Sequence, residues 1–163
     1  MISRIILALL IILYPSIAAA ETPHPAPPVS GKLLDGKNFQ LADHRGHVVI
    51  LHFWATWCAP CRAEMTVLND YYRKHRSEGL DMLAISMDDR VDLDKVKAAM
   101  QAFSFPTALY DDLQADGYGR ITQIPQTLII DRAGFLHDPG WNAPVSGAAQ
   151  LENAIKPLLA HLM

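Results

Sequence analysis

Cys58 and Cys61 are the only two cysteines in this 163-residue chain. They fall in Trp57-Cys58-Ala59-Pro60-Cys61, after an apolar run and before a segment, Arg62 to His75, that reads as a helix. Two thiols so spaced at a helix start suit reversible thiol–disulfide exchange. With Cys58 at the N-cap, Cys61 lies one turn later on the same face, where positions three apart are neighbours. The helix N-terminus presents unpaired N–H groups and a partial positive charge. Both favour the thiolate at Cys58 and make it the attacking sulfur. Cys61, set deeper, is then the resolving thiol. Pro60 suits the first turn, where its missing N–H costs nothing. Trp57 flanks the sulfur as an apolar wall for a partner chain.

Two other uses of the pair fit less well. Structural zinc needs four ligands, yet there is no second cysteine pair, and none of the seven histidines pairs as His-x-x-x-His. No metal site and no cofactor are therefore expected. A purely structural disulfide would close a four-residue ring and constrain little chain.

The first 20 residues bear on where this chemistry happens. Arg4 precedes an unbroken apolar run, Ile5 to Leu13, and Ala18-Ala19-Ala20 fits a small-residue cleavage site. The run is short against the roughly 20 residues of a membrane span. Residues 1–20 are read first as a cleaved signal peptide, with an uncleaved N-terminal anchor as the alternative. Either reading places the rest outside the cytoplasm, in the periplasm or an equivalent space. Without the leader, which holds only Arg4, net charge moves from −3 to −4 (13 basic against 17 acidic residues). No basic stripe exists, so nucleic acid is not an expected partner.

The elements must position the dithiol. Glu21 to Pro28 holds four prolines and reads as an extended linker. The remainder, 29–163, is long enough for one domain. Val29 to Leu41 reads as a hairpin turning at Asp35-Gly36. Val48 to Trp54 is apolar except at His52, as in a central strand buried on both faces. A helix follows to about Arg76 and stops at Gly79. Leu80 to Met87 is a strand, and Asp92 caps a helix with Val96 on its apolar side. Thr107 to Tyr110 is a short strand, and Leu113 to Tyr118 a brief helix or turn. Strands at Gln126 to Ile130 and Phe135 to His137 precede a helix from Ser146 to Leu162. The order, a hairpin, βαβαβ, then ββα, implies an α/β sandwich with a mixed sheet.

The chain resembles the TlpA/ResA-like class of thioredoxin-fold thiol–disulfide oxidoreductases. The resemblance covers about residues 29–162. It rests on Asp35-Gly36-Lys37, on Phe53 through Cys61, and on Pro125-Gln126-Thr127-Leu128-Ile129-Ile130-Asp131 ending at Gly134. It implies a thioredoxin-like three-layer sandwich, a mixed central sheet flanked by helices with an N-terminal β-hairpin. Pro125 then corresponds to the family's cis-proline beside the dithiol, in preference to Pro106. With Ile124 it would offer backbone to an extended client. Members of the class carry a glutamate where this chain has Glu64. Near an apolar dithiol its pKa would rise, and it could move protons to or from Cys61. The alternative is a solvent-facing first-turn glutamate that suits the helix dipole. His52 departs from the class, since thioredoxin has a buried aspartate there. It is either a proton relay for Cys61 or a buried neutral imidazole. Gln123 and Gln126 also depart from the Gly and Thr common there, which bears on partner preference.

Electron direction follows from the residues between the cysteines. Thioredoxin and DsbA, at about −270 and −120 mV, differ by about 7 kcal/mol. Their thiol pKa difference supplies roughly 5 kcal/mol of that. Ala59-Pro60 adds no charge beside Cys58, so a reducing couple is expected. The resemblance implies a monomer with cysteine-containing clients, such as apocytochrome c or a copper-centre assembly factor, and a membrane thiol carrier as electron donor. Oxidase or isomerase activity and a copper-binding chaperone are the alternatives. A peroxidase of the peroxiredoxin type would want Thr-x-x-Cys, whereas Thr56 stands two before Cys58.

Overall fold

The computed structural model describes residues 24–137 and 144–160. The leader expected over residues 1–20 lies outside them, as do residues 21–23 of the expected linker. The described chain begins with strand β1 (His24–Pro25), then β2 (Ser30–Lys32) and β3 (Asn38–Gln40). β2 and β3 form the expected antiparallel hairpin, Ser30 opposite Gln40, and Gly36 supplies the positive φ its turn requires (84°). The linker reading fails from His24 onward. β1 pairs with a later strand, Ala26 N–H donates to Gly134 O, and the Tyr118 hydroxyl donates to Pro27 O. An extended, proline-rich segment is well shaped to add to a sheet edge, and composition alone does not separate that from a free spacer.

All seven residues of β4 (Val48–Trp54) are buried. α1 (Ala59–His75), β5 (Leu80–Ser86), α2 (Leu93–Met100) and β6 (Thr107–Leu109) follow, then β7 (Leu113–Gln114), β8 (Gln126–Ile130), β9 (Phe135–His137) and α3 (Ala148–Ala160). The central sheet runs β1-β9-β8-β4-β5-β6. β4 is parallel to β5 and antiparallel to β8, so the sheet is mixed, as expected. Alternation along β4 divides the core. Val48, Ile50 and Trp54 join α1, α2 and α3 on one face. Val49, Leu51 and Phe53 face the hairpin side. There the hairpin and β7 form a second sheet, ordered β3-β2-β7.

Three local expectations change. β7 occupies the start of the segment read as helix or turn, because it pairs with β2; a two-residue strand carries no periodicity of its own. Asp92 stands at the N-cap of α2 but makes no side-chain cap bond; its carboxylate pairs with Lys95 instead, at 2.6 Å. α3 begins at Ala148 and carries Pro157 within it.

Candidate functional site

β4 ends at Trp54 and the chain turns through Ala55 to Trp57 into α1. Cys58 is the N-cap of α1, in extended backbone (φ −87°, ψ 95°), and its sulfur accepts from the Cys61 N–H at 3.2 Å. Cys58 and Cys61 form a disulfide with Cα atoms 5.3 Å apart. Cys58, the expected attacking sulfur, is only 5% exposed in this oxidised state, against 0% for Cys61. The order of access is the expected one, but most of Cys58 is covered. Trp57 beside it is 71% exposed, and Ala59 and Pro60 also face solvent.

The only cis peptide among the described residues is Ile124–Pro125, so Pro125, not Pro106, takes that geometry. Gln126 pairs with Phe53, which sets Pro125 at the strand end level with the loop that leads to Cys58. Ile124 packs on the core cluster that contains both cysteines. No backbone hydrogen bond of Ile124 occurs within the described residues. Pro106 is an ordinary strand-start proline whose carbonyl accepts from Ala84 N–H.

Glu64 does not face solvent: it is 2% exposed. Its Oε1 accepts from the Thr127 hydroxyl at 2.5 Å. That hydroxyl also lies 2.9 Å from His52 Nδ1, and His52 Nδ1 is 3.6 Å from Glu64 Oε1. Burial raises the Glu64 pKa, while the Thr127 hydroxyl and the Val145 backbone pull it back. Burial pushes His52 down to about 3, so its imidazole is neutral. The structure thus brings His52 and Glu64 together through a residue the sequence reading passed over. Thr127 lies in a strand where its type reads as β-propensity. Its tie to His52 shows only once strand register is known.

Asp88, just past β5, is a second site residue that the sequence reading did not single out. It is buried and accepts from Thr56 N–H at 2.8 Å, Thr56 Oγ1 at 2.6 Å and Ser86 Oγ at 2.7 Å. This clamp fixes the loop between β4 and Cys58.

The sequence profile of the AhpC/TSA family matches residues 22–138. The thiol-disulfide oxidoreductase ResA of Bacillus cereus (strain ZK / E33L) is 32% identical over 101 residues, which is 62% of this chain and 58% of that protein. ResA of Geobacillus thermodenitrificans (strain NG80-2) is 33% identical over 103 residues, with the same coverage of 62% and 58%. The matched stretch therefore spans less than two thirds of either relative. A thiol:disulfide interchange protein of the thioredoxin family from Chlorobium tepidum TLS superposes with a TM-score of 0.71 at 31% identity, covering 87% of this chain and 100% of that one. The thioredoxin domain of a thiol-disulfide oxidoreductase from Bacteroides vulgatus shares the fold, at 23% identity and a TM-score of 0.67, over 85% of this chain and 97% of that one.

Proposed function

The chain belongs to the AhpC/TSA family, and from that premise we propose that it is an exported thiol–disulfide oxidoreductase that reduces client disulfides outside the cytoplasm. The observation that carries this reading is the Cys58–Cys61 disulfide at the N-cap of α1. In the reduced protein, the Cys58 thiolate attacks one sulfur of a client disulfide. A mixed disulfide forms and the second client sulfur leaves with the electron pair of the broken bond. Cys61 then passes its proton to Glu64 and attacks Cys58 Sγ. The intramolecular disulfide closes and the client is released as a dithiol, two electrons richer. Trp57, Pro60, Ile124 and Pro125 form the surface on which the client's extended backbone rests.

The client class is a protein with a cysteine pair, such as apocytochrome c or a metallocentre assembly factor. A membrane thiol carrier returns the two electrons, and the protein works as a monomer. No helix among the described residues is long and apolar enough to cross a membrane; delivery outside the cytoplasm rests on residues 1–20. A peroxidatic role has less support, because Thr56 spends both its N–H and its hydroxyl on Asp88.

Equilibration with glutathione buffers should place the couple near thioredoxin, at about −270 mV. A value near about −120 mV would mean an oxidant and overturn the assigned direction. In intact cells, Cys61→Ser should trap the client as a mixed disulfide through Cys58. Failure to trap any protein-bound thiol would remove the client reading.

A further inference from the structure

Behind the dithiol, three elements meet at one buried hydroxyl. His52 comes from β4, Thr127 from β8 and Glu64 from α1, and all three are buried. Thr127 Oγ1 has a single proton to give. With Glu64 ionised, it donates that proton to Glu64 Oε1 at 2.5 Å, and its lone pair then accepts the bond from His52 Nδ1 at 2.9 Å. The direction of the chain is thereby set: Nδ1–H to Oγ1, Oγ1–H to the carboxylate. His52 Nε2 then carries no proton, and it is buried with no partner among the described residues, where a bare nitrogen strands no donor.

The other groups around Glu64 leave this chain little competition. On α1 its neighbour is Cys61, one turn earlier. The segment before α3 supplies the Val145 N–H. His52 stands opposite Ala84 of β5, which has no titratable group. Among the described residues, no lysine or arginine pairs with Glu64, and the nearest basic group is the neutral His52 itself. A buried carboxylate without a cation depends on the donors aimed at it.

We propose that His52 and Thr127 are positioning residues, a donor chain that keeps Glu64 ionised and ready to take the Cys61 proton. This rests on the thiol-exchange reading above. In the step it serves, the Cys61 S–H bond breaks and a Glu64 O–H bond forms. The electron pair stays on sulfur, and the resulting thiolate attacks Cys58 Sγ. Thr127 lowers the proton affinity of Glu64 directly. His52 does so indirectly, by occupying the hydroxyl's lone pair so that its proton points at the carboxylate.

The test is a carboxyl-carbon NMR titration of Glu64 in the full-length oxidised protein, with the resonance assigned through Glu64→Gln. Thr127→Val should raise the Glu64 midpoint by about 1 to 2 pH units, the loss of one hydrogen bond to a charged group. Thr127→Ser, which keeps the hydroxyl, should return it to the wild-type position. His52→Leu should raise it by less. The pH profile of client-thiol release by the reduced protein should shift in step. On a Glu64→Gln background, Thr127→Val should add no further shift. An unchanged Glu64 midpoint in Thr127→Val, or a Ser variant that behaves as Val, overturns the proposal. Should Thr127→Val not fold, His52→Leu decides, and no upward shift overturns it. If the wild type exchanges no disulfide at any pH, the thiol-exchange reading falls, while the titration still judges the donor chain.

Discussion

Glu64 and His52 lie side by side, yet burial moves their proton affinities in opposite directions. Each disfavours its own charged form, which is an anion for one and a cation for the other. The unfolded chain's His52 binds a proton below about 6.5, whereas the native imidazole refuses it until about 3. Between those values the unfolded state holds more protons, so stability falls as pH is lowered. His52→Leu should flatten that decline, seen as urea midpoints that diverge from wild type at mildly acidic pH. For Glu64 the sign reverses. Its native pKa lies above the usual 4.5, so the native state holds the proton longer and loses stability as pH rises past that value. Glu64→Gln should therefore match wild type in acid and exceed it in stability at neutral pH, while slowing resolution of the mixed disulfide.

At the scale of elements, the reactive loop is held from outside α1. Asp88, just past β5, gathers three donors from Thr56 and Ser86. Asp88→Ala leaves the buried Ser86 hydroxyl and the two half-buried Thr56 donors without their partner. It should cost about 1.5 to 3 kcal/mol, the range for a hydrogen bond to a charged group. Chemical unfolding measures that cost, and a lower rate of Cys58 alkylation in the reduced variant would report the loosened N-cap. The small sheet has its own pinch point at Gly31. A Cβ there would stand 2.1 Å from Asp112 O and 2.8 Å from Leu113 Cα. Gly31→Ala should destabilise by about 1 to 3 kcal/mol, an overpacking cost, because the obstruction is backbone and cannot rotate away.

For the whole molecule, the question is how far the fold depends on its disulfide. The bond joins residues three apart, and closing so small a ring removes little entropy from the unfolded chain. Reduction should lower stability by no more than about 2 kcal/mol, measured as the urea midpoint with and without reductant. The two clusters on either face of the central sheet carry the fold instead. A reducing couple requires this same sign, with the disulfide form the more stable of the two. A reduced protein more stable than the oxidised one would assign the opposite electron direction.

The thiol chemistry, the helix that begins at it, the apolar central strand and the α/β order were legible in the sequence. Each is a local matter: two cysteines at one-turn spacing, a run of buried side chains, a turn at Asp35-Gly36. The resemblance to a known class added Pro125 and Glu64 as residues to examine. Pairing across long separations was not legible. His24–Pro25 joins β9, and β7 joins β2, because a two-residue strand is specified by its partner. Whether Glu64 faced water or core was open along the chain. The tertiary structure settled it by bringing β8 alongside β4, which sets Thr127 opposite His52 and closes Glu64 from solvent. Spacing along one helix decides which side chains share a face; only packing between elements decides what that face meets.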